Sequence, residues 1–259
     1  MKISIITVCF NSQKTIRRTI KSVIAQKYKN YEYLIIDGGS TDNTIKIINE
    51  YKKHINVIIS EADKGIYNAI NKGIKKSTGS IVSILHSDDI FYDNKTTQKI
   101  ISYFKSDLKL DCLIGNTMIT KYSPKKIIRS YKANYFKKWM LYLGFSPPHP
   151  STIFSKKIYQ KYGLYNDKYK IAGDFEFFVR IFLKKKILFK IVNKNFILMK
   201  SGGRSSASLK SNFISSNEIV KSFKDNNLYT NWLMVILRFP IKLLQYIIDH
   251  FTIWNFLLL

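Results

Sequence analysis

Apolar and polar positions alternate along the first 89 residues with two different periods. Short apolar runs predict strands at residues 2–10, 31–37, 56–60 and 80–85, and helical spacing predicts helices at residues 15–26, 42–53 and 66–76. In the first helix, for example, Ile16, Ile20, Val23 and Ile24 fall on one face. This alternation of strand and helix predicts an α/β fold with a mostly parallel central sheet flanked by helices. Ligands of such sheets bind beyond the carboxyl ends of the strands.

The pattern loosens after residue 90, where shorter stretches carry the prediction. Helices are expected at residues 96–104, 174–184 and 211–226, and extended segments at 111–117, 187–192 and 196–200. Ser40 stands where its side chain would cap the helix over residues 42–53. We therefore divide the chain into one domain over residues 1–210, with halves 1–89 and 90–210, and a helical region over residues 211–259.

Residues 231–259 are strongly apolar apart from one polar stripe, which predicts an amphipathic helix. The stripe consists of Arg238, Lys242, Gln245, Asp249 and Thr252. Charges interrupt the segment too often for a transmembrane span, and a helix lying in the membrane interface fits better. Two other interpretations fit the same pattern, in which the helix covers the rest of the fold or forms a dimer seam.

The chain is strongly basic, with 43 Lys and Arg against 17 Asp and Glu and a formal net charge of +26. Such a charge favours anionic partners, namely nucleic acid, nucleotides or an anionic membrane surface. Many lysines are scattered among Ile, Tyr and Asn, as in proteins from AT-rich genomes, so the charge alone is not specific. Cys9 and Cys112 lack metal-ligand spacing and predict no disulfide framework, which fits a reducing cytoplasm. The N-terminal apolar run reaches Asn11 without a cleavage site and predicts a strand rather than a signal peptide.

Acidic residues are scarce, and they follow successive predicted strands. Asp37 ends the second strand, Asp63 follows the third, and Asp88 and Asp89 follow the fourth. Because parallel strands present their carboxyl ends at one edge of the sheet, these carboxylates are predicted to share a site. Loop carboxylates are common for other reasons, and coincidence is the competing interpretation.

The ligand of this edge is not predicted to be a dinucleotide, because "NSQKTI" follows the first strand and contains no glycine. The P-loop pattern is absent from the sequence as well. A carboxylate such as Asp37 or Asp63 suits the ring N–H of a nucleobase. A diphosphate would need a divalent ion between it and the acids, and the "SDD" after the fourth strand offers oxygen ligands suited to Mg²⁺ or Mn²⁺.

Four segments in order resemble the N-terminal half of family 2 glycosyltransferases, which are inverting enzymes of the GT-A fold. They are "ISIITVCFN" (3–11), "YEYLIIDGGSTDNT" (31–44), "SEADKGIYNAINKGIKKSTGSIV" (60–82) and "HSDD" (86–89). The variant "DKGIYNAINKG" is similar to bacterial enzymes that build lipopolysaccharide, capsule or exopolysaccharide. The resemblance covers residues 3–205 and makes residues 1–89 the nucleotide-binding half and residues 90–210 the acceptor-side half.

The resemblance implies a group of residues that bind the nucleotide and the donor sugar. Its members are Thr7, Phe10, Asn11, Asp37, Ser40, Asp42, Asp63 and Asp88. Asp37 would bind the base, and Asp63 would contact the base or the ribose. Asn68 and Asn71 share a face of the following helix and are further candidates for contact with the nucleotide or the sugar.

The metal and the phosphates are assigned to other positions. Asp88 and Asp89 stand for the family's DxD motif, with Asp88 toward the ribose and donor sugar and Asp89 on Mn²⁺ or Mg²⁺. "PPHPST" resembles a family segment whose histidine, here His149, would ligate the metal or touch the phosphates. "SGGRSS" resembles a late loop whose Arg204 suits a phosphate. A packed histidine and an ordinary surface loop are the competing interpretations.

"AGDFEFFVRI" resembles the segment that carries the catalytic base, and Asp174 takes that position. An acceptor hydroxyl must lose its proton as it attacks the anomeric carbon, and a carboxylate within reach can accept that proton. The alternative role for Asp174 is to cap its helix. Glu176 is the second-choice base.

The resemblance implies metal-dependent, inverting transfer from a nucleotide-sugar to a hydroxyl of a lipid-linked bacterial surface glycan. UDP is the expected nucleotide because uracil presents a ring N–H, as guanine and thymine in GDP and dTDP also do. The enzyme would work in the cytoplasm at the inner face of the membrane, as a monomer or a dimer. Two alternatives are a basic nucleic-acid-binding protein and an inactive scaffold that keeps the fold. Nucleic acid is not expected as a partner, because no recognition motif is present and the clustered acids would repel its backbone.

Overall fold

The computed structural model describes residues 1–121, 127–202 and 208–241, without the side chain of Leu209. The described strands form one nine-stranded sheet in the order β3-β2-β1-β4-β8-β6-β9-β5, with β7 paired to β6. They are β1 (Ile3–Cys9), β2 (Tyr31–Asp37), β3 (Val57–Ser60), β4 (Ile81–Ile84), β5 (Ile90–Phe91), β6 (Cys112–Thr120), β7 (Ile127–Tyr131), β8 (Thr152–Ser155) and β9 (Phe189–Lys200).

Helices cover the sheet and lead into the C-terminal region. They are α1 (Ile16–Ile24), α2 (Thr44–Asn49), α3 (Ile66–Lys76), α4 (Thr96–Ser106), α5 (Lys156–Tyr162), α6 (Gly173–Phe178), α7 (Leu209–Asp225) and α8 (Trp232–Ile236). A π-helical turn at Val179–Leu183 extends α6. Short 3-10 turns lie at Lys52–His54, Ala133–Tyr135, Lys138–Leu143 and His149–Ser151.

The first four strands are all parallel, and β1, β2 and β4 are buried, as their apolar runs predict, while β3 at the edge of the sheet is only partly buried. β1 pairs in parallel with β2 and β4, and β2 pairs in parallel with β3. Ile3 and Ile5 point into one apolar core with α1, whereas Ile6 and Val8 point into a second core with α3. Helices on both faces explain why these strands are mostly apolar on both sides instead of alternating. The carboxyl ends of β1 to β4 therefore meet at one edge.

The second half of the sheet is mixed. β8 runs antiparallel to both β4 and β6, while β6 runs parallel to β9. The two extended segments predicted at 187–192 and 196–200 are one strand, β9, whose register against β6 shifts near Asn116. At this shift Gly115 faces the ring of Phe196, and a Cβ there would come within 2.2 Å of the ring. A polar interruption inside one long strand accounts for the incorrect split.

Ser40 does not cap α2, contrary to the sequence prediction. The helix begins at Thr44, and its first N–H is bonded instead by Asp42 Oδ1 at 2.9 Å. The hydroxyl of Ser40 donates to Asp37 Oδ1 at 2.5 Å and accepts from the backbone N–H of Asn11 at 2.8 Å. Ser40 therefore ties the ends of β1 and β2 together.

The C-terminal region packs on the domain as far as the structure describes it. Ile219, Phe223 and Val235 belong to the same core as α3 and α6. Arg238, the first residue of the predicted polar stripe, is only 5% exposed and donates to Ser216 Oγ at 2.9 Å. The rest of the stripe, Lys242, Gln245, Asp249 and Thr252, lies outside the described residues. Within the described ranges, none of the helices combines the length and the apolar character needed to cross a membrane.

Candidate active site

Asp37 ends β2 and organises the carboxyl edge of the sheet from a fully buried position. Its Oδ2 accepts from the N–H groups of Gly39 and Ser40 at 3.1 and 2.9 Å and from Ser60 Oγ at 2.8 Å. Its Oδ1 accepts from Ser40 Oγ and from Cys9 Sγ. Both oxygens of Asp37 are thus engaged by the protein itself, which leaves little capacity for a nucleobase.

Three residues around the end of β1 differ in their access to a ligand. Thr7 is fully buried, and its Oγ1 accepts a hydrogen bond from Tyr33 at 3.1 Å, so it does not line a pocket. Phe10 is 60% exposed at the edge. Asn11 is exposed, has a positive φ of 47°, and accepts from the N–H of Thr41 at 2.9 Å. Phe10 and Asn11 are therefore exposed at the edge, whereas Thr7 is buried beneath it.

Asp63 reaches the same edge from the segment after β3. Its Oδ1 accepts from the N–H of Gly65 at 2.8 Å. Its Oδ2 lies over Gly38, so closely that a Cβ at Gly38 would be 2.5 Å away. The missing side chain at position 38 makes room for this carboxylate, which is half-buried. The carboxylate of Asp63 is therefore less saturated by hydrogen bonds than that of Asp37.

The two acids of "LHSDD" occupy different environments. Asp89 is only 1% exposed; it accepts the backbone N–H of Lys200, and its Oδ1 has no partner among the described residues. Burial, and then the charge of Asp88, raise the pKa of Asp89 well above its usual range. Asp88 is half-buried and is the carboxylate that a ligand can reach. Of the two acids, Asp88 is therefore the more accessible and Asp89 the more buried.

Two histidines stand beside these acids. The rings of His86 and His149 lie 5.6 Å apart, and His149 Nε2 is 3.2 Å from the hydroxyl of Tyr165. Burial, together with the neighbouring His149, lowers the pKa of His86 to about 4. Burial also lowers the pKa of His149 to about 4. Both imidazoles are therefore neutral at physiological pH, the form in which histidine binds a metal.

The residues near Asp88 could bind a divalent cation only if substrate phosphates or water supplied part of its coordination shell. In the described part of the chain, no three His, Cys, Asp or Glu side chains form a group that could hold a metal. Asp88, the unpartnered Oδ1 of Asp89 and the neutral imidazoles supply suitable donor types. Mg²⁺ and Mn²⁺ commonly use one or two carboxylates and complete their shell with substrate phosphates and water.

Asp174 is the second residue of α6 and lies at the same edge, near His86. Its Oδ1 accepts from the N–H of Phe175 at 2.9 Å and lies 3.1 Å from the hydroxyl of Tyr67, which also donates to the Ile171 carbonyl at 2.5 Å. Burial is the main cause that raises the pKa of Asp174 above its usual value. His86 is close enough to interact with this carboxylate electrostatically. Asp174 is therefore both a helix-start residue and an available base.

Glu176, the second-choice base, is committed to a structural ion pair. It is 4% exposed, and its Oε1 accepts from Arg180 Nε at 2.9 Å and from Asn226 Nδ2 at 3.2 Å. Arg180 in turn donates to the carbonyls of Tyr162 and Leu164. This network attaches α6 to the preceding loop and engages the carboxylate of Glu176.

Asn71 is engaged by the backbone of a neighbouring loop. Its side-chain amide exchanges two hydrogen bonds with the backbone of Tyr165, at 2.8 and 3.0 Å, and is buried. Asn68 donates to Asp167 at 3.1 Å. Arg204 falls outside the described residues. His86 and Tyr67 were not assigned from the sequence, although both stand inside the two motifs that carry Asp88 and Asp63.

Residues 4–183 match the model of Glycosyl transferase family 2. The chain is 35% identical over 119 residues to a poly-β-1,6-N-acetyl-D-glucosamine synthase of Staphylococcus epidermidis, a match that covers 45% of this chain and 29% of the synthase. It is 30% identical over 187 residues to an uncharacterised glycosyltransferase of Mycobacterium tuberculosis (strain CDC 1551 / Oshkosh), covering 69% of this chain and 68% of that protein.

Solved structures with the same fold bind nucleotide-sugars. The S. aureus TarS 1–349 complex with UDP-GlcNAc superposes with a TM-score of 0.68 at 20% identity, covering 86% of this chain and 66% of that one. The mannosyltransferase PcManGT of Pyrobaculum calidifontis, in complex with GDP-Man and Mn²⁺, gives 0.63 at 14% identity, covering 86% and 63%. At such identities the likeness shows the GT-A fold. The family match, by contrast, spans more than half of the chain, and the protein is therefore a glycosyltransferase of family 2.

Proposed function

We propose that the protein transfers a sugar from a nucleotide-sugar to a hydroxyl group with inversion, and that Asp174 is the general base. The observation that carries this proposal is the partly buried Asp174 carboxylate at the start of α6, beside His86. A raised pKa makes a carboxylate a stronger base while it is still ionised at neutral pH.

The reaction is a single displacement. The acceptor oxygen forms a bond to the anomeric carbon while the bond from that carbon to the diphosphate oxygen breaks, and the acceptor proton passes to Asp174. The diphosphate leaves with the bonding electron pair. Because attack and departure occur on opposite faces of the sugar, one displacement inverts the anomeric configuration.

A divalent cation would be held by Asp88, with His86 or His149 close by, and would offset charge that develops on the leaving diphosphate. Asp88 is assigned this role instead of Asp89 because it is the accessible carboxylate. Asp89 would support the site indirectly, because its buried carboxylate accepts a hydrogen bond from the backbone N–H of Lys200. PcManGT with GDP-Man and Mn²⁺ gives a precedent for such an ion on this fold.

Asp63 is proposed to accept the ring N–H of the nucleobase, because its Oδ2 is accessible over Gly38 whereas Asp37 is saturated. UDP is the first choice, in line with the UDP-GlcNAc complex of TarS, and GDP is the second. A thermal-shift panel of UDP-, GDP- and dTDP-sugars with Mn²⁺ would identify the donor.

Asp63→Asn is expected to raise the Kd for UDP about tenfold, which is the cost of about 1–2 kcal/mol for a mismatched hydrogen-bonding group. The asparagine oxygen can keep the bond to Gly65 N–H, while its amide N–H₂ would face the donor N–H of the base. Isothermal titration with UDP and Mn²⁺ measures the effect. Glu61→Gln, at an exposed acid that pairs with Lys72, is the matched control. An unchanged Kd for UDP in Asp63→Asn would contradict the proposal that Asp63 binds the nucleobase.

The acceptor is proposed to be a lipid-linked bacterial surface glycan at the inner face of the cytoplasmic membrane. Two observations support this proposal. The staphylococcal relative is named as a synthase of poly-β-1,6-N-acetyl-D-glucosamine, and the C-terminal region exposes several apolar side chains on its surface. Tyr229, Leu233, Leu237 and Ile241 recur every four residues and are all exposed. Since Arg238 turns inward, the outward face of this region is apolar, which suits a membrane surface.

The double variant Leu233→Ser, Leu237→Ser is expected to float with anionic vesicles at least threefold less than the wild type. The measurement is flotation of the full chain with vesicles of phosphatidylglycerol and phosphatidylethanolamine. Leu108→Ser is the matched control, because Leu108 is 76% exposed and Leu233 is 73% exposed. Equal flotation of all three proteins would contradict membrane binding by this face, and a loss of dimer in size-exclusion chromatography would assign it to a dimer seam.

A further inference from the structure

Glu218, on α7, holds the backbone that leads into the catalytic helix α6. Its carboxylate accepts hydrogen bonds from three successive N–H groups, those of Lys170 at 2.7 Å, Ile171 at 2.9 Å and Ala172 at 2.7 Å. Bonds from backbone N–H groups to an ionised acceptor are among the stronger hydrogen bonds in proteins. We call residues 170–172 the bridging segment.

The bridging segment is held by α3 as well as by α7. The hydroxyl of Tyr67 on α3 donates to the carbonyl of Ile171. The N–H of the same residue is bonded by Glu218 on α7, so two different helices fix its backbone. Gly173 then lies against the ring of Tyr67, where an added Cβ would come within 2.7 Å. Asp174 follows directly. These contacts therefore fix the position of the backbone as far as Asp174, whose side chain is the proposed base.

The position of α6 depends on such contacts because the helix is short. It has six residues before the π-helical turn, and helices of this length are not stable by themselves. Two further contacts lie beyond Asp174: the ring of Phe175 packs against Phe223 of α7, and Glu176 accepts from Asn226 just after α7. Ahead of the base, Glu218 bonds the backbone of the bridging segment, while Asp225 bonds only the hydroxyl of Tyr169. Glu218 also lies beyond residues 4–183, which match the family model.

We propose that Glu218 is a positioning residue for Asp174. It sets the backbone of the bridging segment so that the Asp174 carboxylate meets the acceptor hydroxyl. This inference rests on the proposed role of Asp174 as the general base. A base must stand within about 2.6–3.2 Å of the proton that it removes, and a displacement of about 1 Å costs about 100-fold in rate. The effect therefore falls on kcat rather than on nucleotide binding.

The test compares full-length Glu218→Ala and Glu218→Gln with the wild type. We expect kcat to fall about 100-fold in Glu218→Ala. In Glu218→Gln a fall of about tenfold is expected, because the remaining oxygen can serve Ile171 and Ala172 but not Lys170. The Kd for UDP should stay within about twofold. Release of UDP from UDP-GlcNAc with Mn²⁺ gives kcat, and hydrogen exchange of residues 165–178 reports the bridging segment.

Asn217→Ala is the matched control on the same helix. Asn217 accepts a hydrogen bond from Trp232 Nε1 at 2.7 Å and does not contact the bridging segment. Its loss should leave kcat and the exchange of residues 170–174 unchanged. A merely structural role for Glu218 would instead make the two variants alike in kcat.

Two results would overturn the proposal. One is a kcat of Glu218→Ala within about twofold of Asn217→Ala, and the other is unchanged hydrogen exchange at residues 170–174. Failure of the proposed function looks different, because the wild type would then neither bind UDP nor turn over any donor. In that case the exchange measurement decides alone: faster exchange supports the hold of Glu218 on the bridging segment, and unchanged exchange refutes it.

Discussion

Asp174→Asn is expected to lower kcat by about 10²- to 10⁴-fold, the usual contribution of a general base, while UDP still binds. The fold should persist because the asparagine oxygen can accept from Phe175 N–H as Asp174 Oδ1 does. Removing a carboxylate whose burial disfavours its charge should leave the Tm equal or higher. The measurement is UDP release from the nucleotide-sugar that gives the largest thermal shift. Asp167→Asn, at an exposed acid before α6, is the control and should be fully active.

The pH dependence of the wild type gives an independent check on the same residue. Asp174 must be ionised to accept a proton, and burial raises its pKa above the ordinary value for aspartate of about 3.9. The value of kcat/KM for the donor should therefore fall as pH decreases through this raised pKa, and should be level above it. A profile that stays flat down to pH ~4 would contradict Asp174 as the base, as would full activity in Asp174→Asn.

Asp88→Ala is expected to abolish the strengthening of UDP binding by Mn²⁺ and to lower kcat at least about 100-fold. The carboxylate of Asp88 is accessible at the edge, so its removal should take away the metal without disturbing the fold. The Tm without ligand should change by no more than about 4 °C, since Asp88 is half-buried and a loss of about 1 kcal/mol shifts the Tm of a domain of this size by about 2–4 °C. Titrations of UDP with and without Mn²⁺ measure the effect directly.

If Asp88→Ala keeps the strengthening of UDP binding by Mn²⁺, Asp89 becomes the candidate metal ligand. Asp89→Ala should disturb the attachment of Lys200 and the buried surroundings of Asp89, and so change stability, but it should preserve the dependence of UDP binding on Mn²⁺. If Asp89→Ala loses that dependence while Asp88→Ala keeps it, the assignment made from accessibility is wrong. Asp107→Ala, at an acid that bonds the N–H of Lys109 away from the edge, is the control.

Much of the fold could be predicted from the chain because its first half is locally consistent. The apolar run at residues 31–37 matches β2, and the helical spacing at residues 66–76 matches α3. Both are strongly periodic and buried, so local pattern and tertiary environment agree. β5, β7 and β8 were not predicted, because they are short strands whose ends are set by pairing with β9, β6 and β4 rather than by local spacing. The short helix α5 was not predicted either.

The place of the site was predictable for the same reason. Parallel strands bring their carboxyl ends together whatever the side chains do, so Asp37, Asp63 and Asp88 had to reach one edge. The motif carrying Asp174 was visible as well. The sequence by itself therefore determined the fold class, the family and the edge at which the acids lie.

Only the tertiary structure decided what each acid is available to do. Asp37 and Asp63 look equivalent along the chain, yet one is saturated by backbone and hydroxyl donors and the other lies open over Gly38. Asp88 and Asp89 are neighbours, yet one is accessible and the other is buried. Glu218 had no local signal at all, because its three partners stand more than forty residues away. Hydrogen-bond saturation and burial depend on residues distant in the chain, and local pattern does not contain them.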